Sequence, residues 1–309
     1  MRQTLLLIAA LALVGCGKKT TPAEPETNAE PKVAAEKQEP PKVEPQKQVP
    51  PKVEANKPEP PKTEPKTEAK IPANAFVNTL GMPFVPVKGT EVSFCIWETR
   101  VKDYAVYAAA NSGVDGSWKE TAYFKVKGFK QAATHPVVEV SWEGAEAFCA
   151  WLTKKELVEG KIKEGQKYRL PTDAEWSVAV GLGQEKGKTP EEKDRAIKNV
   201  YPWGKEWPPP KGAGNYLPSL KVDKYYYTAP VGSHAANKDG LHDMGCNVWE
   251  WCEDWYDPEE KEYRVLRGAS WLDGSPDRLL SSCRGYSAPV NRGNGGIGFR
   301  CVLVGGSGG

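Results

Sequence analysis

Apolar residues recur at helical spacing in two stretches of this chain, roughly Lys102 to Ala110 and Ser141 to Lys155. In the second, Ala145, Ala147, Phe148, Trp151 and Leu152 are predicted to share one helical face. Ser141 precedes them as an N-cap, and Glu143 and Glu146 lie in the first turn, where the helix dipole favours negative charge. A third, short helix is predicted to start at Thr172-Asp173-Ala174-Glu175-Trp176. Elsewhere short apolar runs alternate with Gly, Pro, Asn and aromatic residues, which predicts long packed loops and a mixed α+β class with little regular structure. Near the start, Leu5 to Val14 is an apolar run too short to span a bilayer. It follows Met1-Arg2 and leads into small residues, the pattern of a cleaved export signal.

Composition separates the remainder into two parts. Residues 17–70 are almost entirely Pro, Lys, Glu, Thr, Ala, Val and Gln with no aromatic residue, so they cannot bury enough surface to offset chain entropy. A ten-residue repeat (Pro31-Lys32-Val33, Pro41-Lys42-Val43, Pro51-Lys52-Val53, Pro61-Lys62-Thr63) marks this part as a semi-rigid spacer. All eleven Trp, all twelve Tyr and six of the seven Cys fall in residues 71–303, which are expected to form one globular domain; 304–309 read as a flexible Gly/Ser tail. A formal net charge of +2, with Lys and Glu interspersed, gives no case for a nucleic-acid partner. Leu13-Val14-Gly15-Cys16 resembles a bacterial lipoprotein signal. That resemblance implies a lipid on Cys16 and, since Gly17 follows, an outer-membrane location with the domain at the cell surface.

Seven segments occur in order across the domain: "NTLGMPFVPV" (78–87), "HPVVEVSWEGAEAFCAWL" (135–152), "YRLPTDAEWSVAV" (168–180), "YPWG" (201–204), "GLHDMGCNVWEWCEDWY" (240–256), "LRGASW" (266–271) and "GIGFRC" (296–301). Together they resemble the formylglycine-generating-enzyme (sulfatase-modifying factor) family, a variant of the C-type lectin fold. That family's oxidase chemistry rests on two cysteines, whose places are held here by Asp273 and Arg278, and neither offers the thiolate a copper(I) site needs. His135, His234 and His242 are the only histidines, and their spacing does not resemble a non-haem iron ligand set. The resemblance also implies a disulfide between Cys149 and Cys301, leaving Cys95, Cys246, Cys252 and Cys283 unassigned. It implies structural calcium at two places. One would use Asn215, Tyr216, Asp223 and Tyr225; the other Asp243, Cys246, Val248 and Glu250, with Cys246 standing where the family has glycine. No cofactor is otherwise required.

Residues 267–301 contain no Lys, Glu, Gln or Met, and past Trp271 no Trp, in a chain rich in Lys and Glu. The frame "RGASW…CR…P…NR…IGFRC" resembles the variable region of proteins diversified by retroelements, a family that includes treponemal lipoproteins on this fold. Adenine mutagenesis of AAC and AAT codons reaches Leu, Asp, Gly, Ser, Tyr, Val, Asn, Ala and Arg but none of the missing five. The resemblance implies that Leu272, Asp273, Gly274, Asp277, Arg278, Gly285, Tyr286, Ser287, Val290, Gly293, Asn294 and Gly295 are variable, solvent-facing ligand contacts. Tyr286 and Leu272 would be the anchors. Trp271, Arg284, Pro289, Ile297, Phe299 and Arg300 would be fixed scaffold. The expected function is recognition of a protein or glycan ligand by a monomer held to the membrane through its lipid, without catalysis. The alternatives are an envelope lipoprotein with one fixed partner and, behind it, a formylglycine-generating oxidase or a non-haem iron enzyme.

Overall fold

The computed structural model describes residues 70–305 apart from 121–123, 126–127, 184 and 294. The export signal with Cys16, the spacer up to residue 69, Asn294 and residues 306–309 lie outside the described residues.

The three expected helices are α1 (Val101–Ala110), α2 (Trp142–Val158) and α3 (Asp173–Val180). The Gly144 N–H donates to Ser141 Oγ at 3.1 Å, which caps α2. On α3 the Glu175 N–H donates to Thr172 Oγ1 and the Thr172 N–H donates to the Glu175 carboxylate, a reciprocal capping box. Gly181 ends α3 at φ +93°, a backbone state that glycine adopts without steric cost. The buried face of α2 is Trp142, Ala145, Phe148, Cys149, Leu152 and Glu156. Ala147, expected on that face, is exposed, and Trp151 is half-buried. At about 100° per residue, position 147 turns away from the row that 145, 148, 149 and 152 share. A one-turn helix, α4 (Pro190–Lys193), is too short for periodicity to reveal; Thr189 caps it and Pro190 opens it.

Two small sheets carry the rest. The first is antiparallel, in the order β1 (Phe76–Val77), β2 (Pro83–Pro86), β3 (Val92–Cys95), β9 (Val302–Val304), β4 (Lys167–Arg169). Strand β9 therefore pairs on both sides, with β3 and β4, and the end of the domain closes the sheet that its beginning opens. The second runs β7 (Arg284–Ser287), β6 (Arg264–Arg267), β5 (Trp249–Trp255), β8 (Ile297–Gly298), with only the β5–β8 pair parallel. Between these elements lie Phe84, Phe94, Phe148, Trp176, Trp251 and Phe299, all fully buried. The Trp251 indole donates to Val140 O and the Trp176 indole to the Glu250 carboxylate, so neither ring leaves a polar atom stranded.

Three arginines of the C-terminal segment are fully buried as well. Arg284 pairs with Asp173 of α3 at 2.9 Å and Glu185 at 2.7 Å; Arg267 pairs with the same Asp173; Arg300 pairs with Glu250 of β5 at 2.7 Å. Burial disfavours the charge of Asp173, but the two guanidiniums outweigh it and hold its carboxyl below the usual range. Among the described residues no helix is long and apolar enough to cross a membrane.

Candidate ligand-binding face

The twelve positions expected to vary do not form one exposed patch. Asp277, Arg278, Tyr286 and Val290 are exposed; Leu272, Asp273, Gly274 and Gly293 are half-buried; Gly285, Ser287 and Gly295 are buried; Asn294 is outside the described residues. Solvent exposure is thus corrected for three of them and limited for four more. Gly285 packs under Leu266 and Trp249, where an added Cβ would come within 3.3 Å. Ser287 faces inward on β7 and its Oγ accepts from Asn291 Nδ2. Gly295, at φ +84°, lies against the Phe124 ring, and its carbonyl accepts from the Trp271 indole. Gly293 is at φ +74° with Ile297 only 2.8 Å from where a Cβ would stand, and Gly274 is as tightly placed against Leu217.

Trp249 gathers several of these positions although it is only 8% exposed. Its indole N–H donates to Asp273 Oδ2 at 2.9 Å, the Arg278 guanidinium lies 6.0 Å from its ring, and Gly285 packs on its edge. Asp273 Oδ2 also accepts from the backbone N–H and the hydroxyl of Ser270, so this carboxylate closes a turn. Leu272 packs against the cluster of Phe124, Val138, Val248 and Trp271. Tyr286 stands apart. It is 54% exposed and its ring lies 4.5 Å from Tyr256 and 5.3 Å from Tyr263, centroid to centroid. Successive strand side chains point to opposite faces, so Tyr286 leaves the side on which Gly285 meets Trp249. The two flanking tyrosines were not singled out by the sequence; they come from the β5–β6 turn region, and only the pairing of β6 with β7 brings them beside Tyr286.

None of the residues expected as fixed scaffold is exposed. Trp271, Arg284, Phe299 and Arg300 are buried, and Pro289 and Ile297 are half-buried. Pro289 O accepts from the Trp142 N–H, which ties the loop after β7 to the start of α2.

All six cysteines of the domain are buried. Burial raises the Cys95 thiol to about 12 and pushes Cys246, Cys252, Cys283 and Cys301 above their ordinary value, so thiolate is scarce at each. Cys149 Sγ and Cys301 Sγ lie 3.5 Å apart. His135 shares a 2.9 Å hydrogen bond with Thr228, and burial lowers its pKa to about 4. His234 and His242 meet in a different place: His242 Nδ1 bonds to His234 O, and His234 Nδ1 lies 3.2 Å from Asp243 Oδ1.

The two expected calcium sets behave differently. In the first, Asp223 accepts the N–H groups of Tyr216 and Tyr225 and keeps further lone pairs, while the buried Asn215 Oδ1 finds no partner among the described residues. An orphaned buried acceptor in a set that also holds a carboxylate fits a hard cation. The second set does not fit. Both Glu250 oxygens are taken by Arg300 and Trp176, and Cys246 O accepts from the Val248 N–H. Next to this set the structure places Glu98, which the sequence did not mark. It is fully buried; burial, and then the Asp243 charge, push its carboxyl well above the usual range.

Comparison with known proteins matches residues 62–304 to the sulfatase-modifying factor enzyme 1-like domain. The chain belongs to that family. It is 32% identical over 183 residues to the inactive C-alpha-formylglycine-generating enzyme 2 of Bos taurus, covering 57% of this chain and 52% of that protein. It is 31% identical over 194 residues to the formylglycine-generating enzyme of Streptomyces coelicolor, covering 54% and 52%. The chain therefore spans about half the length of these relatives. Among solved structures, PvdO from Pseudomonas aeruginosa superposes with a TM-score of 0.51 at 21% identity, covering 76% of this chain and all of that one. Treponema denticola variable protein 1 gives 0.44 at 19% identity, covering 74% and 93%. The fold is the formylglycine-generating-enzyme type of the C-type lectin fold, with the low helix and strand content expected.

The two positions that the resemblance matches to the oxidase cysteines carry side chains with other contacts. Asp273 closes the Ser270–Asp273 turn and accepts from the Trp249 indole, and Arg278 lies exposed over Trp249. No cysteine occurs between Cys252 and Cys283. Neither Asp273 nor Arg278 offers a thiolate to a soft metal.

Proposed function

We propose that this protein is a non-catalytic ligand-binding lipoprotein. The observation that carries the reading is the replacement of the oxidase thiols by a turn-closing aspartate and an exposed arginine, on a scaffold that displays Tyr286, Val290, Asp277 and Arg278 to solvent. Tyr286, flanked by Tyr256 and Tyr263, is the principal anchor, because tyrosine supplies rigid amphipathic contact area at little entropic cost. Cys16 would carry the lipid and residues 17–70 would hold the domain off an outer membrane. The Cys149–Cys301 pair would close as a disulfide in an exported protein, and Asn215 and Asp223, with the carbonyls of Tyr216 and Tyr225, would hold a structural calcium. The ligand class is a protein or glycan surface.

Diversification by a retroelement belongs to the same proposal, and it is supported by the composition of 267–301 alone. A second reading, one fixed partner, is favoured by the packing of Asp273, Gly285, Gly293 and Gly295, which leaves few of the twelve positions free. Sequencing the segment across isolates separates the two. Variation concentrated at Asp277, Arg278, Tyr286 and Val290, with an Asn-codon-rich copy and a reverse transcriptase gene nearby, supports diversification. An invariant segment without the copy leaves the fixed partner. Copper-dependent conversion of a peptide cysteine to formylglycine by the purified chain would overturn both.

A further inference from the structure

Ahead of β5 the fold assembles a group of side chains that ligand binding does not use. Asp243 to Cys246 is a tight turn in which the Cys246 N–H donates to Asp243 O, so carboxylate and thiol emerge on the same side. Cys246 Sγ lies 3.9 Å from Asp243 Oδ1, and His234 Nδ1 lies 3.2 Å from the same oxygen. All three donor atoms fall within 4.8 Å of one another. Around a tetrahedral ion with bonds of about 2.0–2.3 Å, neighbouring ligand atoms are separated by roughly 3.3–3.6 Å. The two separations from Asp243 Oδ1 are thus near the spacing of such a shell, and the His234–Cys246 pair, within 4.8 Å, would close on the ion. The second oxygen of Asp243 accepts the Gly232 N–H, and this outer contact aims Oδ1 at the other two donors.

Glu98 gives an independent reason to place a cation beside Asp243. It is fully buried; Oε1 accepts from Asn247 Nδ2, the residue after Cys246, and Oε2 has no partner among the described residues. Glu98 and Asp243 are buried close to Glu250, whose guanidinium partner is Arg300. That group is spent on Glu250 and on the carbonyls of Cys95 and His242. A buried carboxyl oxygen without a partner costs stability, and a divalent cation held at Asp243 would offset that cost. Calcium takes six to eight oxygens, whereas an imidazole, a carboxylate and a thiol together suit a borderline-soft ion.

We propose that His234, Asp243 and Cys246 form a structural site for a zinc-class divalent cation, where the family pattern implied calcium. Binding would displace the thiol proton and cross-link the two ends of the 234–246 loop. The family's glycine at position 246 would remove the sulfur and the site with it.

The test uses the full-length chain, reduced and stripped by a chelator, with zinc alone titrated against a chromophoric chelator. One equivalent should bind, and Cys246→Gly and His234→Ala should each weaken it by at least 100-fold. Cobalt in place of zinc should show a thiolate-to-metal charge-transfer absorption that Cys246→Ser abolishes and Cys149→Ser leaves intact. Circular dichroism on each variant separates lost binding from lost folding; if His234→Ala does not fold, the cobalt spectrum of Cys246→Ser decides. Binding of calcium but not zinc, stoichiometry unchanged by Cys246→Ser, or no binding by a folded chain overturns the proposal.

Discussion

Asp273→Ala distinguishes a freely variable position from a structural one. The substitution removes the acceptor shared by the Trp249 indole (2.9 Å), the Ser270 N–H (3.0 Å) and the Ser270 hydroxyl (2.8 Å). The hydroxyl can rotate to another acceptor, but the indole and the backbone N–H belong to buried residues and cannot. A buried donor left unpaired costs about 1–3 kcal/mol. Because Asp273 is half-buried, water can partly replace its carboxylate, so the low end applies to each donor and the expected loss is about 2–3 kcal/mol. With a urea slope of about 1–3 kcal/mol/M, the midpoint should fall by about 1 M at unchanged slope. Asp273→Asn keeps one acceptor oxygen and should lose roughly half as much. Asp277→Ala is the control: that carboxylate is exposed and only 3.7 Å from the equally exposed Lys198, so the change should stay within about 0.5 kcal/mol. If Asp273→Ala and Asp277→Ala unfold at the same urea concentration as the parent, the turn is not held as described and the variable reading regains this position.

Gly293→Ala and Gly295→Ala place a side chain at φ +74° and +84° against Ile297 and Phe124, and each should cost about 1–3 kcal/mol in a melting experiment. His135, lowered to about 4 by burial, stays neutral in the fold while the unfolded chain takes up a proton below about pH 6.5. Stability should therefore fall by about 3 kcal/mol as pH drops from about 6.5 to 4, and the His135 contribution should vanish in a His135→Gln denaturation series. Under oxidising conditions Cys149 and Cys301 should pair; thiol counting should show the loss of two thiols, and Cys149→Ser should lower stability by about 4–5 kcal/mol. Labelling with a fatty-acid analogue in the bacterial host should mark the parent chain and not Cys16→Ser.

The local parts of the fold were legible because their causes are local. Ser141 and Thr172 announce helix starts by spacing alone, and the capping box at Thr172 and Glu175 forms as that spacing requires. The aromatic-rich motifs carried the family. What could not be read was which face of a short strand a residue occupies and what lies opposite. Gly285 and Tyr286 are neighbours in sequence and part company in space, and nothing near residue 286 announces Tyr256 or Tyr263. Glu98 gave no signal, because its meaning depends on Asp243 and Asn247, about 150 positions away. The mixed donors His234, Asp243 and Cys246 were visible as residue types, but reading Cys246 as a carbonyl ligand hid its sulfur.

The separation of the two faces limits how the protein can bind. A ligand seated on Tyr286 rests on the tyrosine cluster, whereas one seated on Arg278 rests over Trp249 and the Asp273 turn. A single small ligand cannot span both sides of a sheet, so Tyr286→Ala and Arg278→Ala should not both abolish capture of it. Only a partner that wraps around the edge strand β7 would feel both substitutions. That strand exposes one side chain while Arg284, Gly285 and Ser287 stay buried, and Arg284 is anchored to Asp173 and Glu185. Rewriting Tyr286 should change specificity at little cost in stability, whereas Arg284→Met should cost about 3–5 kcal/mol by leaving Glu185 and part of Asp173 unpaired in the interior.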